Sequence, residues 1–477
     1  MSRPPNPPGQ SADTTLPTGA AGAGASMRRL WVLMATVFVD MMGAMIVLPL
    51  LPFYVLEMKA KPSIVGALVS TFFIAQIICS PLWGRLSDRY GRRPMILAGL
   101  LLSAAAFLLF GLAHAVLLLF VSRLVQGAAS GTVGVVQAYV GDSIPAGERA
   151  KALGWVTAAT SAGVVIGPAI GSAAAHFGNA MPGYVAATLC LLNFGFAWRW
   201  LPESRHQSPP ASAAGSPVAR ASVWRRLWEV VREPASPIGS LIWVYAIGMM
   251  AFMAMNAILG LYLGQVYGVT KETIGTFYSF IGVVSLVMRA LLLGPVVRRL
   301  GEVAAMRLGA LALTVGLAAM PLVALLRLPH AALVACFGAV AISMPVGTAL
   351  LFPSTTALVS GRSPRDEMGQ IMGVQQLFGG IARFLGPIWS AWLFGIYIML
   401  PFWAAAFFML CGGLLTLRIR HTRPAPAAPA HTAASAAPQP APSPSLVAPS
   451  GPAGDLDGPA ASQACAEAVE SEAVVHG

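Results

Sequence analysis

Residues 84–94 read GRLSDRYGRRP, a charged island of Arg85, Asp88, Arg89, Arg92 and Arg93 punctuated by Gly84 and Gly91. It interrupts apolar sequence on both sides, near 64–86 and 95–113. A membrane-spanning helix needs about 20 predominantly apolar residues, and each flanking run is long enough. Working outward, the same alternation gives twelve runs, near 30–55, 64–86, 95–113, 115–142, 152–177, 181–201, 237–265, 272–295, 303–326, 330–359, 367–393 and 396–420. The runs lack the two-residue alternation of strands, and in lipid a helix satisfies its own backbone polar groups. The expected fold is an all-α membrane protein of twelve transmembrane helices.

Composition points the same way. The 477 residues are 56% hydrophobic and 10% charged, with a mean hydropathy of +0.71, whereas soluble domains carry about 25% charged residues. A soluble enzyme, a fibrous protein and a wholly disordered chain are excluded. The net charge of +12 would suggest nucleic acid in a soluble chain. Here the bases cluster between apolar runs, so they report topology, and no nucleic-acid partner is expected. Of the 30 Lys and Arg, 22 fall on one side, against Lys59, Lys61, Lys271 and Arg327 on the other. The positive-inside rule then places both termini in the cytoplasm. The five Cys are scattered, so neither a disulfide framework nor a metal site is indicated.

The expected domains are a disordered cytoplasmic head (1–27), a six-helix bundle (28–201), a cytoplasmic linker (202–236), a second six-helix bundle (237–420) and a disordered cytoplasmic tail (421–477). The head lacks the apolar centre of a cleavable signal, leaving the first apolar run as the targeting element. The tail is dominated by Ala, Pro and Ser and cannot bury enough apolar surface to fold alone.

The two bundles repeat. A shift of 219 carries Pro145, Glu148 and Gly154 onto Pro364, Glu367 and Gly373, and Gly167-Pro168 onto Gly386-Pro387. A shift of 210 carries Gly84 and Gly91 onto Gly294 and Gly301. Two pseudo-repeated halves related by an axis along the membrane normal imply a transporter built from parallel repeats.

The island G-x-L-x-D-R-x-G-R-R resembles the signature of the major facilitator superfamily, and the resemblance extends over roughly 28–420. Gly84 would let helices approach closely, and Gly91 would permit a turn that a Cβ resists. Asp88 can face a helix N-terminus, where the macrodipole favours a negative charge, and Arg92 can pair with Asp142. The resemblance makes Gly84, Asp88, Arg89, Gly91, Arg92, Arg93 and Asp142 a cytoplasmic gate that breaks when the halves rock apart. The alternative is that these charges only fix topology.

In the fifth run, Gly163, Gly167, Pro168 and Gly171 form a G-x(3)-G-P-x(2)-G element. It resembles a motif of the superfamily's exporters, particularly the tetracycline and multidrug proton antiporters. The usual final Gly is Ser172 here. Simple small-residue packing is the alternative. In the fourth run, Arg123, Gly127, Ser130, Gly134, Gln137 and Gly141 recur every three or four residues, as though sharing a face. RLVQG at 123–127 resembles the family's span-four arginine motif. An arginine is effectively never deprotonated, so Arg123 would tune a neighbouring acid or hold an anionic group, unless it is purely structural.

Of the 18 acids, Asp40 alone stands deep in an apolar run, FVDMMGAMIVLPLLP. A carboxyl among apolar neighbours can bind and release a proton as its surroundings change, as a proton-coupled cycle requires. The stretch resembles the first span of tetracycline-type antiporters. The alternative is a static Asp held by neighbours or paired with Arg123. Gln76, Gln126, Gln137, Asn256, Arg289 and Arg383 are the other interior polar candidates for a substrate cavity, helix-to-helix hydrogen bonding being the alternative for each amide.

These residues lead to a secondary active transporter that exports small amphipathic or drug-like molecules by alternating access, coupled to protons. Its expected partners are a small-molecule substrate, protons and the lipid bilayer. It would act as a monomer in a bacterial inner membrane, with no cofactor and no metal. It is not expected to be an enzyme, and no G-x(4)-G-K-[ST] phosphate loop is present. Two other readings fit the same residues: a metabolite (sugar or organic acid) facilitator or symporter, and a non-transporting membrane receptor or scaffold.

Overall fold

The computed structural model describes residues 21–204, 217–326, 329–364, 367–417 and 419. The expectations for 1–20 and 421–477, and for Arg205, Arg327, Arg365, Arg418, Arg420 and Arg423, lie outside these residues. Among the described residues, twelve helices are long and apolar enough to cross a membrane: spans 1 to 6 are Met27–Glu57, Ser63–Tyr90, Arg92–Gly111, Val116–Ser143, Gly147–Ala175 and Met181–Trp200. Spans 7 to 12 are Pro237–Tyr267, Ile274–Leu291, Glu302–Val323, Ala331–Arg362, Met368–Ile396 and Leu400–Leu417. Two details differ from expectation. The first helix begins at Ala21, so residues 21–27 of the expected head are helical. The linker carries a further helix, Pro217–Arg232. The membrane end that bears this linker is termed the linker end, and the opposite one the far end.

Span 4 is two helices, Val116–Ala129 and Thr132–Ser143. Hydroxyls compete for the carbonyls at the break: Ser130 Oγ donates to Gly127 O at 2.7 Å and Thr132 Oγ1 to Ala129 O at 2.9 Å. The repeat carries the same device. Span 10 breaks between His330–Ala341 and Ser343–Arg362, where Ser343 Oγ donates to Val340 O at 2.6 Å. The break corrects the expected single face of span 4. Arg123, Gly127 and Ser130 are buried, while Gly134 and Gln137 beyond it are exposed.

The halves join at the far end through two seams that copy each other. Ser70 Oγ of span 2 donates to Phe384 O of span 11 at 2.6 Å. Ser279 Oγ of span 8 donates to Val165 O of span 5 at 2.9 Å. One turn further out, Gly66 lies against Pro387 O and Gly275 against Pro168 O, so closely that a Cβ on either glycine would overlap the carbonyl. The shift of 219 that relates Val165 to Phe384 also relates Pro168 to Pro387.

Towards the linker end the halves part. One apolar cluster includes residues of both bundles, among them Leu50, Leu68, Leu259 and Phe394. A second, with Leu33, Trp83, Ile96, Tyr139, Val156 and Ala197, contains, among the described residues, no buried residue of the second bundle. The described conformation is closed at the far end and open at the linker end.

Candidate functional site

Asp40 sits in a polar layer between two apolar cores of the first bundle. Met42, Ala104 and Cys190 belong to one core; Val37, Leu100 and Ala197 belong to the other. Between them lie Asp40 of span 1, Ser103 of span 3 and Asn193 of span 6, all buried. Ser103 Oγ is 3.5 Å from Asp40 Oδ1, and Cys190 is within electrostatic range. The Asn193 Nδ2 has no hydrogen-bond partner among the described residues. A protonated carboxyl can donate to a hydroxyl such as Ser103, and an ionised one can only accept. The charge state of Asp40 therefore decides which hydrogen bonds this layer can make.

Asp40 makes no ion pair among the described residues, so pairing with Arg123 is not part of this state. Arg123 is only 3% exposed and lies over the Phe110 ring, 5.6 Å from its centroid. From Ser103 to Phe110 is seven residues, about 10 Å along span 3, so Arg123 is nearer the far end than Asp40. Its Nε and Nη2 have no hydrogen-bond partner among the described residues. Among the described residues no acid is ion-paired with it.

The opposite face of span 1 packs on span 5. Gly163, Gly167 and Gly171 lie against the Phe38, Met42 and Ile46 carbonyls, where a Cβ would overlap backbone. Pro168 and Val165, on the same stretch, carry the seam to span 8. Ser172, where the resembling motif has glycine, is a pin between the halves: its Oγ donates to Lys271 O at 2.8 Å and accepts from Gly275 N at 2.7 Å. Beside it, Lys271 Nζ reaches Glu57 Oε1 and Asn179 Oδ1, both at 2.6 Å, and Asn179 Nδ2 donates to Glu57 Oε2. In the same turn, a hydrogen bond with Thr270 holds the Glu272 carboxyl below its ordinary range. A net intramolecular hydrogen bond is worth about 1 kcal/mol. Ser172→Gly, which loses two, is expected to raise labelling at the far end by about 10-fold or more, measured with a membrane-impermeant thiol reagent on a cysteine introduced at Lys271.

The other cavity candidates are dispersed. Gln76 is half-buried, Gln137 and Arg289 are exposed, and Gln126 is buried, with its Oε1 lacking a hydrogen-bond partner among the described residues. Asn256 Nδ2 donates to Phe252 O at 2.9 Å, and Tyr278 OH donates to Asn256 O. Arg383 folds back along its own helix, its Nε donating to Gly379 O at 3.1 Å. Sequence reasoning passed over Gln375, fully buried in span 11, whose Nε2 donates to Thr356 Oγ1 at 3.1 Å. An amide in an apolar run was the available signal for it.

At the linker end the island departs from expectation in three respects. Arg92 Nε does reach Asp142 Oδ2 at 3.0 Å, and its Nη1 reaches Asp88 at 2.7 Å. These pairs lie wholly within the first bundle, so rocking of the halves does not pull them apart. The anion at a helix N-terminus is Glu203 rather than Asp88: Arg92 N and Arg93 N, opening span 3, donate to its two oxygens at 2.9 and 3.2 Å. Glu203 comes from the expected linker, and only the fold brings it there. Finally, Gly84 faces open space, whereas Gly91, at φ 104°, has the conformation and the crowding against Glu203 that glycine permits.

Twelve spans among the described residues, in two repeated halves shut on one side and parted on the other, have the architecture of a membrane transporter. The pattern of the Major Facilitator Superfamily matches residues 33–387, and the chain belongs to that family; it is a transporter and not an enzyme. It is 30% identical over 392 residues to Multidrug resistance protein 2 of Bacillus subtilis (strain 168), covering 81% of this chain and 94% of that one. It is 24% identical over 370 residues to the class B Tetracycline resistance protein of Escherichia coli, covering 74% and 88%. The fold matches a bacterial homolog to the human lysosomal transporter Spinster, solved in an inward-facing and unoccupied conformation, with a TM-score of 0.66, 14% identity and coverage of 84% and 98%.

Proposed function

We propose that this protein exports amphipathic or drug-like molecules in exchange for protons, with Asp40 as the coupling group. The observation that carries this reading is a lone acid, 9% exposed, in a polar layer between two apolar cores. The names of the multidrug and tetracycline resistance relatives support the substrate class. Taking up a proton lets the layer pack without a buried charge, and releasing it demands new hydrogen bonds or water. The change reaches the seams mechanically. Asp40 lies on span 1, span 1 rests on the glycines of span 5, and the same stretch of span 5 grips span 8. A proton and a substrate that favour different conformations exchange by shifting one equilibrium.

In this reading, which the basic connections support, the linker end and both termini lie in the cytoplasm of a bacterial inner membrane, and the described state faces inward. Spans 2 and 11 run antiparallel. Closing the linker end brings Asp88, at the end of span 2, towards the N-terminus of span 11 at Met368, where a negative charge is favoured. In this reading Asp88 is the gate, and Arg92, Asp142 and Glu203 hold its loop in place.

Purified protein in liposomes tests the proposal. With an imposed pH gradient, a fluorescent cationic dye and tetracycline should each move against their gradients while protons move the other way. Transport that runs equally with and without the pH gradient would overturn the coupling.

A further inference from the structure

The linker helix Pro217–Arg232 is held to the second bundle by one face. Val230 is buried, and its carbonyl accepts from Trp243 Nε1 of span 7 at 3.1 Å. Arg226 is ion-paired with Glu367, at the start of span 11, and with Glu229. Hydrogen bonding to Glu367 makes the Arg226 guanidinium still harder to deprotonate than usual. Trp243 is six residues into span 7, so the helix lies beside the first two turns of that span, at the depth where a membrane-spanning helix leaves the hydrocarbon.

Over residues 225–233 the rest of the circumference is sorted. At 100° per residue, Trp228 and Val231 form a stripe on one side of the protein-facing residues, and both are exposed, at 54% and 41%. Next round come Arg225, 68% exposed and loosely paired through its Nε with Glu229 Oε1 at 3.5 Å, and Arg232, whose guanidinium lies 5.2 Å from the centre of the Trp228 ring. Glu229 and Glu233 follow, on the far side of the arginines from the apolar stripe. An apolar stripe with tryptophan, flanked by arginine and backed by acid, is the arrangement of a helix lying in a membrane interface. Tryptophan favours the headgroup level, and arginine suits phosphate.

We propose that this helix is a lipid-binding element: Trp228 and Val231 enter the leaflet at the linker end, and Arg225 and Arg232 hold the headgroups of acidic phospholipids. Charge selects the occupant, because the arginines adjoin the apolar stripe while the acids are turned away from it. The Arg226–Glu367 pair transmits this docking to the start of span 11, so acidic lipid holds that end of the second bundle in place.

The test uses the full chain with its five cysteines replaced and a nitroxide placed at Val231→Cys or, as reference, Glu229→Cys. In vesicles containing phosphatidylglycerol, the label at 231 should relax mainly with dissolved oxygen, and the label at 229 mainly with a water-soluble nickel chelate. A label at 231 as open to nickel as the one at 229 would overturn the proposal. Each basic residue near an anionic surface contributes about fivefold in partitioning. Arg225→Gln with Arg232→Gln should therefore lower the docked-to-undocked ratio by about 25-fold in those vesicles and leave it unchanged in purely zwitterionic ones. Equal immersion in both lipids for the unsubstituted helix would overturn the role of acidic lipid. Transport of an unlabelled substrate by each variant confirms that the bundles are folded.

Discussion

Asp40→Asn should lose pH-gradient-driven uptake in everted vesicles down to the level of empty membranes while retaining gradient-free exchange of substrate across liposomes. The two assays separate because they draw on different free energies. Gradient-driven transport needs a group whose proton occupancy differs between conformations, and asparagine has none. Exchange needs only that the loaded carrier can rock, and the seams that form and break at the far end do not contain residue 40. The substitution keeps the shape of the side chain. Its new donors can find Ser103, or be left unsatisfied at about 1–3 kcal/mol each, so the variant should fold with a modestly lower thermal midpoint. Asp40→Glu keeps an ionisable group in the layer and should restore part of the gradient-driven rate, which a purely structural role would not predict. Undiminished uptake by Asp40→Asn in the presence of a gradient would remove Asp40 from the coupling path.

Most of the architecture is legible in the residues because lipid imposes a simple rule. A helix that must cross about 30 Å of hydrocarbon declares itself by length and apolarity, and each run matches a span to within a few residues. The linker helix was not legible in that way: it is short and mixed, and its face is defined by Glu367 and Trp243, distant in sequence. The site divides along the same line. Asp40 stood out because burying a lone acid is costly and apolar sequence around it advertises the burial. Its neighbours Ser103, Cys190 and Asn193 are ordinary residues of helical membrane segments, chosen by packing between spans 1, 3 and 6. Glu203 and Ser172 make the same point. Both look incidental in sequence, one in a linker and one at the end of a motif, and both make contacts across long separations. The break in span 4 was hidden because Ser130 and Thr132 are compatible with a continuous helix; their hydroxyls take carbonyls only once the surrounding spans accept the turn.

Gly275→Leu and Gly66→Leu are expected to prevent the far end from closing. At both positions a Cβ would overlap the carbonyl of a proline in the opposite half, Pro168 or Pro387. That oxygen is backbone in the middle of a helix and cannot swing aside, so relief comes only when the halves separate. Overpacking of this kind costs about 1–3 kcal/mol. Charged to the far-closed state alone, it moves the conformational ratio by about 5- to 150-fold, and more for the double substitution because the two seams are distinct. The bundles themselves are untouched, so the variants should remain folded and populate the far-open state. Spin labels in the far-end connections of the two halves should report the longer distance, and net transport should fall steeply. Gly167→Leu supplies the contrast. Its Cβ would overlap Met42 O, which belongs to the same half, so both conformations suffer alike. That variant should lose thermal stability with little change in the distance distribution. If Gly275→Leu and Gly66→Leu leave the far-end distances as they are in the unsubstituted protein, the paired glycine–proline seams do not govern closure, and the seal must be sought in the Glu57–Lys271–Asn179 network instead.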